Sequence, residues 1–225
     1  MRKRIFALLS VLALSLVILA GCKSRESAEE PSTEPSKEPS TEPTKEPSKE
    51  IEPEIARKAP DFTLNSFDGN TISLSNYKGK IVVLEWFSLE CPFVIRHYGG
   101  KPTMINLANK YRDRNVVWFA VNSTGHTTPE ANTEFAKKYK LPYPILDDRS
   151  GKVGRAYGAK TTPHMYVIDT RGSITYQGAI DNDKRGRRRQ GVINYVDKAL
   201  AELTGDKEVT TTDTMSYGRD VMYAR

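Results

Sequence analysis

The stretch that most constrains this chain is Ile81-Val82-Val83-Leu84-Glu85-Trp86-Phe87, which runs through Ser88-Leu89-Glu90 into Cys91-Pro92-Phe93-Val94. Ile81 to Leu84 is an unbroken apolar, mostly β-branched run, the pattern of a strand covered on both faces. Pro92 suits the first turn of a helix, where no backbone donor is needed. A thiol at that position stands beside free backbone N–H groups and the positive end of a helix dipole, which favour thiolate, the reactive form. The stretch therefore predicts a redox or nucleophilic cysteine on a strand-to-helix turn. A buried, inert cysteine is the alternative, and its place at a helix start argues against it.

Around this stretch the periodicities alternate. Phe62-Thr63-Leu64 and Thr71-Ile72-Ser73-Leu74 flank Asp68-Gly69-Asn70 and predict a hairpin. A helix after Cys91 runs to about Tyr98, breaks at Gly99-Gly100-Lys101-Pro102 and resumes through Met104, Leu107 and Tyr111. Val116 to Val121 is a second apolar strand, and Thr128-Pro129-Glu130 opens a helix with Thr128 as N-cap. Pro144-Ile145-Leu146 is a short strand, Ser150 to Tyr157 a short helix and Met165 to Ile168 a strand. Gly172 turns the chain into Ser173 to Tyr176, and apolar positions from Val192 to Leu203 predict a closing amphipathic helix. Alternating elements ending in a hairpin and a helix indicate an α/β domain with a mixed sheet.

The first quarter of the 225 residues is not globular in character. Met1-Arg2-Lys3-Arg4, an apolar run from Ile5 to Ile18, and Leu19-Ala20-Gly21-Cys22 resemble a bacterial lipoprotein signal with its lipobox. The resemblance implies a signal peptide over residues 1–21, cleavage before Cys22, a lipid on the Cys22 sulfur and a position on the extracytoplasmic face of the cell membrane. An uncleaved spanning helix needs roughly 20 apolar residues, longer than this run. Residues 22–58 follow as a linker with a four-residue Glu-Pro-Ser/Thr-Lys/Thr repeat, a composition that predicts a disordered, extended spacer. Residues 59–205 then form the folded domain and 206–225 a C-terminal tail.

The chain has two cysteines, so with Cys22 committed to lipid no internal disulfide forms and Cys91 is the sole remaining thiol. The formal net charge is +6, concentrated in the loop Lys184-Arg185-Gly186-Arg187-Arg188-Arg189. That loop reads as a solvated surface; an anionic lipid surface or an acidic partner is the alternative. An exported lipoprotein has no nucleic acid to meet.

The strand, the Cys-Pro helix start and the later Thr162-Pro163 together resemble the thioredoxin fold. The opening Ala59-Pro60-Asp61-Phe62, the N-terminal β-hairpin and the Gly172 hairpin resemble its redoxin branch, which holds membrane-anchored thioredoxin-like proteins and the alkyl hydroperoxide reductase/thiol-specific antioxidant family. The resemblance implies a central mixed sheet flanked by helices, Cys91 as the catalytic residue with Pro92 at its helix start, and a cis bond at Thr162-Pro163. In that fold the proline packs over the cysteine and the residue before it pairs with a bound chain, so Thr162 and Pro163 become site residues.

The departures are informative. Val94 stands where a dithiol motif has its second cysteine, so the two-step exchange of a Cys-x-x-Cys site is not open to this domain alone. Against the peroxiredoxin pattern, Ser88 fills the hydroxyl position, but Leu84 replaces the proline and Pro163 the arginine. The run Glu90-Cys91-Pro92-Phe93-Val94 with His97-Tyr98 is similar to a bacterial redoxin subgroup whose tail carries Tyr-Gly-Cys. Here Tyr217-Gly218-Arg219 has arginine in that cysteine's position.

Glu90 opposes thiolate formation that the helix start favours, and the sequence does not decide between them. Arg96, His97 and His164 read as solvated or structural. A copper site of the Cys-plus-His kind uses two cysteines, so no metal or other cofactor is expected. The resulting expectation is a thiol-dependent oxidoreductase or antioxidant acting through Cys91 on a peroxide or disulfide, with an external thiol reductant or a thiol/disulfide partner protein. The alternative is a non-enzymatic thioredoxin-fold module that holds an extended partner chain.

Overall fold

A computed structural model describes residues 57–225. The signal peptide, Cys22 and nearly all of the linker expected from the sequence lie outside the described residues.

The domain opens with an antiparallel hairpin of β1 (Thr63–Asn65) and β2 (Thr71–Ser73), turned at Gly69 with φ of 92°. A short 3₁₀ turn over Leu74–Tyr77 leads to β3 (Ile81–Trp86). Then follow α1 (Pro92–Tyr98), α2 (Thr103–Tyr111), β4 (Val116–Asn122), α3 (Pro129–Tyr139), β5 (Ile145–Asp147) and α4 (Lys152–Tyr157). The chain continues through β6 (Thr161–Thr162), β7 (His164–Ile168), β8 (Ile174–Gly178), α5 (Tyr195–Leu203) and β9 (Arg219–Asp220).

The central sheet has the order β5-β4-β3-β7-β8. β3 is its middle strand, parallel to β4 and antiparallel to β7, and all six of its residues are buried. Both of its faces are covered, as the apolar run requires. Ile81, Val83 and Phe87 pack with Val94, Tyr98, Met104, Phe135 and Leu200, a layer supplied by α1, α2, α3 and α5. Val82, Leu84 and Trp86 pack on the other side with Phe62, Val153, Tyr157 and Tyr166. At roughly 1.5–3 kcal/mol for each large apolar side chain removed from water, these two layers are the main favourable term in the fold. The result is a thioredoxin-like α/β fold with a mixed sheet between helices, as the sequence indicated.

Local signals explain most helix ends. Thr128 caps α3 as expected, its hydroxyl accepting from the Ala131 amide at 3.2 Å. The break between α1 and α2 falls at the glycine-proline segment. The closing helix starts later than the Val192 periodicity predicts. Asn194 caps it by accepting from the Asp197 amide at 2.8 Å, the preceding residues are tied to the Asn182 side chain, and Val192 is left 46% exposed. The strand predicted over Ser173 to Tyr176 runs over Ile174–Gly178 instead.

The buried Leu84 and the exposed Thr128 cap separate packing from local propensity. Leu84→Ala should lower unfolding free energy by about 2–5 kcal/mol through the cavity it leaves, and Thr128→Ala by about 1 kcal/mol, both read from urea melts.

Candidate active site

Cys91 is the N-cap residue of α1, with extended φ and ψ of −83° and 116°. The Ser88 carbonyl accepts its amide at 3.2 Å, and its own carbonyl accepts from Ile95 at 2.9 Å. The sequence predicts the sulfur beside free helix amides, but the Cys91 side chain makes no capping hydrogen bond. It turns instead into the layer of Phe87 and Val94, where Sγ–H donates to the Thr162 carbonyl at 2.8 Å. Cys91 is only 1% exposed and is the free cysteine of the described residues.

Thr162 and Pro163 are therefore brought to the thiol as the sequence indicated, and the bond between them is cis. Pro92 opens α1. Ser88 is buried one turn before Cys91, but its hydroxyl accepts from the Glu90 amide at 3.4 Å and belongs to the turn. Glu90 is exposed and pairs with His126 at 3.0 Å, bridging the loops that follow β3 and β4.

The histidines separate by strand and helix geometry. His164 lies on the face of β7 opposite Met165 and Val167, which share the Cys91 layer. Its ring sits 4.7 Å from that of Tyr166, and its Nδ1 accepts from the Lys160 amide at 3.3 Å. Burial pushes its pKa down to about 4. His97 is also buried, at the end of α1, within reach of Thr103 through Nδ1 at 3.2 Å and of Tyr217 through Nε2 at 3.1 Å. Burial, partly offset by the Asp181 carboxylate, pushes its pKa down to about 4. Neutral His97 with its proton on Nδ1 satisfies this arrangement, since Nε2 then accepts from the Arg96 guanidinium at 3.0 Å. Arg96 is not simply solvated, because its other Nη donates to the Lys184 carbonyl at 2.9 Å.

Two groups escaped the sequence reading. Glu85 is a fully buried carboxyl on β3. The Tyr98 hydroxyl donates to its Oε2 at 2.7 Å, and Tyr143 extends the chain of hydroxyls at 3.0 Å. Its Oε1 and the Trp118 indole N–H are both buried without a completed hydrogen bond. With no cation at hand, burial outweighs the Tyr98 hydrogen bond and pushes its pKa up to about 8. The visible signal was a glutamate inside an otherwise apolar strand. The second group is Tyr217, whose ring packs 6.0 Å from Phe93 and whose hydroxyl donates to Asp181 at 2.7 Å. Nothing in the tail's composition marks it as buried.

Glu85 yields a pH dependence. Its folded pKa lies above the unfolded value near 4.5, so the native state holds a proton that the unfolded chain has released. Its contribution is full at low pH and is lost as pH rises toward about 8. The stability of the wild type relative to Glu85→Gln should therefore fall steadily over that interval, at up to about 1.4 kcal/mol per pH unit, measured by denaturant melts at stepped pH.

Comparison with known proteins agrees with this architecture. The AhpC/TSA family profile matches residues 55–177. The thiol-disulfide oxidoreductase ResA of Bacillus thuringiensis subsp. konkukian is 30% identical over 121 residues, covering 54% of this chain and 67% of that protein. The chloroplastic peroxiredoxin Q of Triticum aestivum is 32% identical over 125 residues, covering 52% of this chain and 55% of that protein. Among solved structures, a conserved protein from Geobacillus kaustophilus superposes with a TM-score of 0.68 at 26% identity, over 75% of this chain and 92% of that one. A hypothetical protein from Sinorhizobium meliloti 1021 gives 0.67 at 24% identity, over 75% of this chain and 94% of that one, a likeness of fold. With the β3–Cys91–α1 turn, the Thr162-Pro163 segment and the family match all on one domain, the chain belongs to the AhpC/TSA family of redoxins.

Proposed function

We propose that this protein is a membrane-tethered, extracytoplasmic thiol oxidoreductase that works through Cys91 alone. The observation that carries the reading is the thiol itself: in a redoxin domain, Cys91 is the free cysteine of the described residues and sits at the strand-to-helix turn against Thr162. With Val94 where a partner thiol would be, each route ends on an external thiol.

In the peroxide route the Cys91 thiolate attacks one oxygen of the O–O bond, the bond breaks, and the second oxygen leaves as water or an alcohol after taking a proton. Cys91 becomes a sulfenic acid. An external thiol condenses with it, releasing water and forming a mixed disulfide, and a second thiol displaces Cys91 as the disulfide of the reductant. In the exchange route the thiolate attacks a disulfide and one sulfur leaves as thiolate. An external thiol then attacks the Cys91 sulfur and displaces the second substrate sulfur as a thiol, and a second external thiol displaces Cys91 as the disulfide of the reductant. Both cycles balance with a dithiol, or two monothiols, oxidised per turnover. A second reading, a module that holds an extended chain without chemistry, is favoured by β6 beside the thiol, which already pairs with an extended segment, β9.

Trapping decides between them. With stoichiometric peroxide or a small disulfide, Cys91 should carry a dimedone adduct or a mixed disulfide by mass spectrometry. Turnover with an added thiol should drop about 10³-fold or more in Cys91→Ser. Neither adduct forming would overturn the oxidoreductase and leave the binding module. The tether rests on Leu19-Ala20-Gly21-Cys22. The full chain should fractionate with membranes carrying a lipid mass on Cys22, and Cys22→Ser should lose that mass; an unlipidated wild-type Cys22 would overturn the anchor.

A further inference from the structure

The last thirteen or so residues do not trail away from the domain. They cross the face that holds Cys91, bonded at each step. Thr212 and Thr214 exchange backbone hydrogen bonds with Gln177 at the edge of β8, at 2.9 and 3.0 Å. Tyr217 is buried beside Phe93 of α1, its hydroxyl donating to Asp181 and accepting from Arg96 at 3.1 Å. Arg219 and Asp220 then form β9, antiparallel to β6, with Arg219 opposite Thr162 and Asp220 opposite Thr161. Beyond the strand, the Val221 amide donates to Lys160 at 3.1 Å and the Gly125 amide to Met222 at 2.9 Å. The Arg155 guanidinium lies 4.5 Å over the Tyr223 ring and donates to the Ala224 carbonyl at 2.8 Å.

The closest approach falls at Gly218. Its φ is 147°, and a Cβ there would overlap the Thr162 carbonyl, the same carbonyl that accepts from the Cys91 thiol. Only glycine combines that backbone with that proximity. The tail thus lies across the backbone group that Cys91 is bonded to, beside a thiol that is itself turned into the Phe87 and Val94 layer.

We infer that residues 212–224 act as a built-in occupant of the β6 edge, an intramolecular competitor that keeps Cys91 covered until an extended chain of a partner displaces it. The two strands of β6–β9 are each two residues long, so the hold at the edge itself is slight. The Tyr217 and Tyr223 anchors at either side carry most of it. A partner that offers its own strand to Thr161 and Thr162 regains the hydrogen bonds that the tail gives up, and takes the tail's place beside the thiol in the same event. The chemistry that recognises the partner is that of an extended polypeptide segment with glycine against the Thr162 carbonyl and an aromatic residue before it, as in Tyr217-Gly218. The consequence for turnover rests on the reading of Cys91 as a nucleophile; the occlusion itself does not.

The test uses the whole chain in a Cys22→Ser background, so that Cys91 is the one thiol. Gly218→Val, which cannot seat on Thr162, and separately Tyr217→Ala, which loses the anchor, should each be alkylated by a maleimide at least about tenfold faster than the parent, the effect of weakening a local closure by roughly 1.4 kcal/mol. A synthetic peptide spanning residues 212–224 should restore the slow rate to both, and a scrambled peptide should not. Unchanged rates in both variants would overturn the inference. So would an acceleration the peptide fails to reverse, which would report general loosening. If the opened variants alkylate fast yet yield neither sulfenic acid nor mixed disulfide, the occlusion stands and the oxidoreductase reading falls.

Discussion

The rest of the domain depends on β3 being buried on both faces. A strand whose odd and even positions are both apolar cannot lie at the edge of a sheet or under a single layer, so helices must pack on one side and the hairpin with α4 on the other. Its two neighbours, parallel β4 and antiparallel β7, are fixed by the same demand, because every one of its backbone groups needs a ladder partner. The turn after Phe87 then brings the chain out at one end of the sheet, and Cys91 is delivered there next to the segment that enters β7.

That end of the sheet is where the chemistry and the conflicts collect. The thiol donates a hydrogen bond to the Thr162 carbonyl rather than receiving one from the helix amides. Glu85 holds a proton inside the core because burial outweighs a single hydroxyl donor. His97, Arg96, Asp181 and Tyr217 form a second polar group at the end of α1, in which the Tyr217 hydroxyl of the tail bridges Arg96 and Asp181. An exposed pair such as Glu90–His126 contributes little beside these, being open to water on both sides.

Much of the fold was legible because hydrophobic periodicity reports on burial directly. The two apolar strands, the glycine-proline break between α1 and α2 and the Thr128 cap all follow from residue types in short windows. The start of α5 was not, since Val192 and Ile193 keep a helical spacing that the Asn194 cap and the Asn182 side chain overrule. At the site, Cys91, Pro92, Ser88, Thr162 and Pro163 were all named from motifs, and the structure gathers them; the hydroxyl of Ser88 alone turns away to the local turn.

What the sequence determined by itself was therefore the α/β class, the central strand and the cysteine at its end, because these depend on contacts between near neighbours in the chain. Tertiary structure decided what surrounds that cysteine. The direction of its thiol, the partners of Glu85 and the course of the tail all join residues far apart in sequence, as Tyr217 to His97 or Arg219 to Thr162. A two-residue strand of arginine and aspartate carries no pattern of its own. It forms because Thr161 and Thr162 offer backbone groups at an edge beside the thiol, and Arg219 and Asp220 of the same chain fill them.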